Sequence, residues 1–438
     1  MNLSAEMTLS QSTFPPYCVH HMAPDTINNV PATSRLPPEL FRPIIGALTV
    51  NADRRTLCNV ALSSKFLAAE SQRVLFRTTS DSFWKRDSLR RHITYLSAIV
   101  NAPMCLGPLV HAYTQKDLFM DSTRSPVTGP IENLEDVNLW QLTMAALPAM
   151  YNLKHLEFST RNTPSESSLE VLTQCSFKLN SLIWAVRPGC HINSVVKGLL
   201  GVQEQLVHLD LSHCTRPIPA AVCPRLISIR ATHRMWAALC SEDRRCIRAL
   251  DVVTSAHSQP IIITEDELNE DMGHDVATYA DYIRLLSYQS YIEMSSEFGD
   301  IPLRNLVLLR LLTYTTVSLL RISGFESMRV LVLHKFFRES ASEGVVSSHL
   351  SFVFQRNTSL LYVDIETEHR DVFQRYYKPT PDALDQRPTV KLFKGGQANG
   401  LWWECHLDEA DYALQDIQDD IQDPNESGLI SNMSSLGL

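Results

Sequence analysis

Cysteine and histidine stand close together in this chain at Cys18 with His20-His21, at Cys190-His191 and at His213-Cys214, among other places. A thiolate beside an imidazole is the pairing of nucleophilic catalysis, and Cys/His clusters at short spacing hold zinc. Neither chemistry is completed here. No partner ligands stand at metal-site spacing from Cys18 and His20-His21, and none of the ten cysteines forms C-x-x-C. No nucleophile elbow, phosphate-cradling loop, H-E-x-x-H or G-x-G-x-x-G is present, and Gly is only 15 of 438 residues. The expectation is a protein that is not an enzyme in its own right, with no catalytic residue, no metal site and no cofactor.

A different set of polar residues is spaced to recognise a partner. Leucines recur as Leu153-x-x-Leu156-x-Phe158, Leu179-x-x-Leu182-x-Trp184, Leu206-x-x-Leu209-x-Leu211-x-x-Cys214, Leu226-x-x-Ile229 and Ile247-x-x-Leu250-x-Val252. They continue as Leu303-x-x-Leu306-x-Leu308, Met328-x-x-Leu331-x-Leu333 and Leu360-x-x-Val363-x-Ile365. Intervals run from 20 to 32 residues, apart from 56 between Ile247 and Leu303. This matches the leucine-rich-repeat unit, a short strand followed by a turn and a backing helix. One such unit cannot bury its apolar edge, so copies must stack. Backing helices are predicted at 140–150, 192–200 and 345–355. Cys214 sits where an Asn or Cys satisfies the turn backbone, which gives the His213-Cys214 pair a structural reading.

Residues between the leucines then face the concave side of the stack. The candidates for binding a protein substrate are His155, Glu157, His208, Asp210, Arg230, Asp251, Tyr362 and Asp364, with Ser181, Ser228, Asn305, His334 and Glu366 in equivalent places. The same set is what any solvated strand edge presents. From Gln259 to Asp300, an acidic and then tyrosine-rich run reads as an inserted loop or irregular repeat.

Nine carboxylates lie between Glu404 and Glu426 with no Lys or Arg among them, and they equal the net charge of −9. The rest of the chain is balanced, which leaves no electrostatic reason to bind nucleic acid or an anionic membrane. No run of 18 apolar residues is present, so no membrane span is expected. The N-terminus lacks the basic and apolar regions of a signal peptide, and scattered cysteines then read as reduced thiols of a cytoplasmic or nuclear protein. Short strands at 389–393 and 401–406, joined by KGGQANG, suggest a hairpin, followed by an acidic tail.

The elements that would hold this domain to a partner come earlier. Leu36-Pro37-Pro38-Glu39-Leu40 is helix-start chemistry, and Phe41, Ile44, Ile45 and Leu48 follow at i, i+3, i+4, i+7. Asn51 and Asp53 can cap a second helix bearing Leu57, Val60 and Ala61. Ser63-Ser64 breaks it, and a third helix carries Phe66, Leu67, Val74 and Leu75. Pro43 inside the first helix is expected to kink or split it. A further helix is expected at 87–101.

The stretch 34–79 resembles an F-box: Leu-Pro-x-Glu-Leu, the paired isoleucines, Leu-x-x-Val-Ala-Leu-x-Ser and the closing Arg-Val-Leu-Phe stand where that family has them. Phe66 stands where many members have Trp. The resemblance implies docking on the Skp-family adaptor, and through it a cullin, of an SCF-type cullin–RING ubiquitin ligase. By match to the family motif, Leu36, Pro37, Leu40, Ile44, Ile45, Leu57, Val60, Leu62 and Leu67 would face the adaptor. Together with irregular repeats, the stretch is similar to the large F-box families of basidiomycete fungi.

The expected fold is thus α/β. It has a leader over 1–33, a three-helix F-box over 34–79, an irregular leucine-rich-repeat-like solenoid over 80–395, and a C-terminal hairpin strand and acidic tail over 396–438. The function implied is a substrate-recognition subunit of a ubiquitin ligase. The alternative is a non-catalytic leucine-rich-repeat scaffold whose N-terminal helices merely cap the repeats.

Overall fold

The computed structural model describes residues 37–48, 50–79, 86–116, 139–160, 166–186, 198–211, 222–231, 247–253, 280, 282–290, 294–295, 303–315, 319, 322, 325–336, 343–367, 372–379, 390–394, 403 and 406. Leu36, the Cys18–His21 cluster, Cys190-His191, His213-Cys214, the leader, Gln259–Tyr279, Trp402 and most of the acidic tail lie outside them. The chain forms two compact units, Met1–Lys154 with Pro164–Phe177, and His155–Thr163 with Lys178–Leu438.

The first unit opens with α1 (Pro38–Gly46), α2 (Val50–Ser63) and α3 (Lys65–Arg77). Pro43 does not split α1. It removes the bond to the Glu39 carbonyl, which belongs to an exposed first-turn residue that water can serve. The irregularity falls instead at Asp53, where non-helical backbone joins two helical pieces within α2. Ser64 caps α3, its hydroxyl accepting from the Leu67 amide at 3.2 Å. Ile45, Leu57 and Val74 form the core of the three helices, and Phe41, Leu48, Val50, Val60, Leu67 and Leu75 pack around it.

This small core continues into the rest of its unit. After α3, Thr78 bridges Ala112 at the start of β1 (Ala112–Lys116). The Phe76 ring stacks on Tyr95 of α4 (Arg86–Asn101) at 5.2 Å. The short α5 (Pro103–Leu106), α6 (Leu139–Ala146) and α7 (Glu166–Gln174) complete the unit. Four of its buried polar groups form one network. Tyr113 donates to Gln115 Oε1 at 3.0 Å, Thr143 donates to the same oxygen at 2.9 Å, and a His92 ring nitrogen meets the Tyr113 hydroxyl at 2.8 Å. Burial pushes the Tyr113 phenol up and His92 down to about 3, so both are neutral in the folded chain.

The second unit is mixed α/β, built on a long and mostly parallel sheet. Its strands are β2 (His155–Thr160), β3 (Ser181–Val186), β4 (His208–Asp210), β5 (Ser228–Ala231), β6 (Ala249–Val252) and β7 (Leu285–Ser290). They continue with β8 (Leu308–Tyr314), β9 (Val330–Phe336), β10 (Tyr362–Glu366), β11 (Val372–Tyr377) and β12 (Val390–Lys394). Neighbours pair in chain order, parallel from β2 to β10 and antiparallel from β10 to β12.

The register explains the leucine spacing. Leu156, Leu182, Leu209, Ile229, Leu250, Leu286, Leu309, Leu331 and Val363 lie side by side in one row. All nine are fully buried, and each such side chain contributes roughly 1.5–3 kcal/mol of hydrophobic stabilisation. Phe158 and Trp184 meet edge-to-face on the same side of the sheet, ring centroids 5.3 Å apart. Helix α8 (Glu343–Arg356) buries Leu350, Val353 and Phe354 before β10. This is a leucine-rich-repeat-like arrangement of strands.

The register corrects one expectation, on the copy near residue 303, and decides the run at 259–300 in favour of an irregular repeat. The copy near residue 303 is Leu306-x-x-Leu309-x-Leu311, three residues later than the spacing suggested, because Leu309 aligns with Leu286 and Leu331. Asn305 therefore lies in the turn before β8 and not on a strand face. Between Gln259 and Asp300 a strand is present, with Ile283-x-x-Leu286-x-Tyr288 as its pattern. Strand β12 pairs antiparallel with β11 over Val372–Tyr376, and most of the expected partner strand at 401–406 lies outside the described residues.

Candidate functional site

On the face opposite the leucine row, the register assembles a second row of alternating charge. Glu157, Ile183, Asp210, Arg230, Asp251, Ser287, Arg310, Val332, Asp364 and Arg375 occupy successive strands at one level. Beside it runs the row His155, Ser181, His208, Ser228, Ala249, Leu285, Leu308, Val330 and Tyr362. Side chains two apart on a strand share a face, so every one of the eight candidate residues falls on this side.

The face is not a solvated strand edge. Asp210, Asp251, Asp364, His208 and Tyr362 are buried, and only His155, Glu157 and Arg230 are half-buried. Buried charge persists only when paired. Arg310 donates to Asp251 Oδ2 from Nη2 and to Ser287 Oγ from Nε, both at 2.8 Å. Arg230 reaches the same Asp251 at 3.2 Å and Asp210 at 3.4 Å. Burial alone would raise Asp251, but Arg310, Arg230 and the Ser287 and Arg310 hydrogen bonds outweigh it and hold the carboxyl below its ordinary value. The neighbouring Asp210 carboxylate, acting against burial, holds the Arg230 guanidinium firmly protonated.

At β10 and β11 a second cluster forms. Arg375 grips Asp364 with two hydrogen bonds of 2.7 and 2.9 Å, and its guanidinium lies 3.9 Å from the centroid of the Tyr362 ring. His406 completes the cluster from the C-terminal segment. Its Nδ1 lies 2.9 Å from Asp364 Oδ2, and its carbonyl accepts from the Tyr362 hydroxyl at 2.7 Å and from Arg375 Nη2 at 2.9 Å. Trp403, three residues earlier, is buried among Ala249, Leu285, Leu308, Val330 and Val332, with Tyr362 and Phe373 beside them. Its ring also meets His208 edge-on, centroids 6.3 Å apart. Part of the candidate surface is therefore covered by the chain itself.

Sequence reasoning did not find Arg310, Arg375 or His406, and of the adjacent Trp402 and Trp403 it expected one to cap the repeats without saying which. Arg310 was hidden by the three-residue shift in the repeat frame. Arg375 sits on an antiparallel strand outside the leucine pattern, where the alternation of Phe373, Arg375 and Tyr377 was the available signal. Trp403 and His406 follow no repeat.

His208 gives this face a pH signature. Its ring nitrogen meets Ser228 Oγ at 2.8 Å, and burial, opposed only in part by Asp210 and Asp251, lowers its pKa to about 4. The unfolded chain takes up a proton near 6.5 and the folded chain does not, so this residue's contribution is full above 6.5 and is lost as pH falls toward about 4. His208→Gln is expected to flatten the stability profile across that window in urea melts at stepped pH. An unchanged slope refutes the assignment.

The adaptor-facing candidates separate into two groups. Pro37, Leu40, Ile44 and Leu62 are exposed, while Ile45 and Leu57 are buried inside the three-helix core, with Val60 and Leu67 half-buried against it. Ile45 and Leu57 are corrected to core residues: a helix of this size needs one apolar stripe for its own packing, and they are that stripe. Phe66 is exposed and meets Phe41 edge-on at 6.2 Å. Among the described residues no group of three His, Cys, Asp or Glu is placed to hold a metal ion. No described helix is long and apolar enough to cross a membrane. Cys58, Cys105, Cys175 and Cys223 are free thiols, and burial pushes Cys175 up to about 12.

No protein-family profile matches the chain, and no curated protein does. Among solved structures, a chain in the crystal structure of a TLR13–ssRNA13 complex is similar at a TM-score of 0.26 and 13% identity, over 62% of this chain and 31% of that one. The chain thus spans about a third of that protein's length. A likeness this distant fixes no function.

Proposed function

We propose that the chain is a substrate-recognition subunit of an SCF-type ubiquitin ligase, its N-terminal helices binding a Skp-family adaptor and its repeat domain binding a protein substrate. The observation that carries the reading is the apolar surface on the three helices. Leu62 is 86% exposed, Ile44 51%, Phe66 49% and Leu40 45%, although buried apolar positions are available in the same unit. Large apolar side chains left in water on a structured surface mark an interaction site. Three of these four positions are ones the F-box resemblance assigns to the adaptor or to its apolar contacts, and Phe66 occupies the position of the family's Trp.

In this reading the protein supplies no reacting group. It holds two partners close, and proximity raises the effective concentration of the transfer chemistry carried by other subunits. The leucine-rich-repeat-like sheet supports the second half of the proposal through the half-buried His155, Glu157 and Arg230 on its polar face.

A pull-down with purified adaptor tests it. The doubly substituted Leu40→Asp, Ile44→Asp chain should remain folded, since both side chains are exposed, and should lose adaptor binding by at least about tenfold. A wild-type chain that does not bind the adaptor leaves a repeat scaffold with no ligase attachment.

A further inference from the structure

The face that carries the charged row already holds a peptide. Trp403 and His406 come from beyond the last strand, yet both are almost completely buried against strands β6 to β11. Their contacts divide as those of a docked ligand do. An aromatic anchor fills an apolar socket, and a polar end is fixed by a charged pair. The socket is made where the polar row turns apolar: Ser181, His208 and Ser228 give way to Ala249, Leu285, Leu308 and Val330 on the following strands. Small Ala249 leaves room, and Leu285, Leu308 and Val330 wall the indole.

The polar end is equally specific. The His406 carbonyl takes two hydrogen bonds, from Tyr362 and Arg375, which any residue's backbone can accept. Its ring meets Asp364 and lies edge-on against Phe373, centroids 4.5 Å apart, which requires an imidazole or a similar flat donor. The amide of His406 also bonds the Trp403 carbonyl at 2.9 Å, so the two anchors are held in one tight turn. A four-residue turn with aromatic and imidazole ends is therefore the shape that this surface selects.

We infer that strands β6 to β11 form a binding site for linear peptides of the type Trp-x-x-His, filled in cis by the chain's own Trp403–His406 turn. A partner must displace that turn to reach the surface. Glu404 lies within the turn in sequence and Asp408, Glu409 and Asp411 follow it, so a competing peptide need not carry basic charge to match it. The inference concerns the repeat sheet alone and stands whether or not the N-terminal helices bind an adaptor.

The test uses the full chain with a specific protease site inserted between Gly396 and Ala398, cut after purification. The expected result has three parts. The cut protein keeps a cooperative urea transition. It loses the fragment running from the inserted site to Leu438 on gel filtration at low concentration. It then binds a fluorescent peptide of residues 399–411 saturably, at least ten times tighter than the uncut chain does. Trp403→Ala or His406→Ala in the peptide, which leaves the protein untouched, should weaken binding tenfold or more.

Loss of the cooperative transition on cutting overturns the inference, because the turn is then core and not ligand. So does a fragment that never exchanges for labelled peptide, equal binding to cut and uncut chains, or indifference to both peptide substitutions. Adaptor pull-down on the same cut protein reads the other proposal separately.

Discussion

Arg375→Met is expected to cost about 3–5 kcal/mol of folding free energy, the range for removing one partner of a buried ion pair. Asp364 is fully buried and takes both of its charged hydrogen bonds from this guanidinium. Without it, the carboxylate keeps only His406, which burial holds toward its neutral form. Methionine fills much of the arginine stem's volume, so the loss reads charge rather than cavity. The control is the pair Arg375→Met, Asp364→Leu. Replacing both members by apolar groups removes the uncompensated charge and should recover a large part of the loss. Recovery stays incomplete because the His406 ring loses Asp364 and its carbonyl loses Arg375, keeping only the Tyr362 hydroxyl of the two donors. Urea melts of the two single variants and the double variant give the coupling directly. Additive losses would show that the pair is not the unit holding this end of the sheet.

The leucine row was open to reading because its cause is local. A strand with one face buried must repeat an apolar residue at fixed places, and eight copies show it. Where several leucines crowd together the cause no longer selects one answer. Leu303, Leu306, Leu308, Leu309, Leu311 and Leu312 admit two frames three apart, and only pairing with Leu286 and Leu331 chooses between them. Strand β7 escaped for the opposite reason. Tyr288 stands in the third apolar place, and a long acidic stretch before it masks the repeat.

The polar face was hard to read on different grounds. One aspartate on one strand looks like solvent-facing decoration, because its partner lies on another strand. Asp251 and Arg310 are 59 residues apart in the chain and 2.8 Å apart in space. Which residues share the face followed from period two; whether they are wet or buried did not. At the C-terminus KGGQANG carries local turn chemistry, but no local signal announces the antiparallel edge that β11 offers β12 over five paired positions. The F-box positions show the same division. The motif spacing marks an apolar helix set, yet it does not say that Ile45 and Leu57 turn inward while Ile44 and Leu62 turn out.

Asp251→Ala is the second large effect, again expected at about 3–5 kcal/mol, and the size follows from how many cations it serves. Its Oδ2 is shared by Arg310, whose side chain is only 9% exposed, and by Arg230, 42% exposed. Arg230 can turn toward water when the carboxylate is removed, and it keeps Asp210. Arg310 is held inside, where its Nε keeps the neutral Ser287 hydroxyl in place of a carboxylate. Most of the cost therefore belongs to Arg310, and adding Arg310→Met to Asp251→Ala should recover more stability than adding Arg230→Met. The same residue sets an acid limb. The folded Asp251 carboxyl lies below its ordinary value, so its stabilisation is complete above the unfolded value of about 4 and is lost as pH falls through the lower, folded value. That limb lies below the His208 window, and the two substitutions should remove different parts of one stability profile. If both variants flatten the same pH range, the charged row titrates as a single coupled unit and the separate assignments fail.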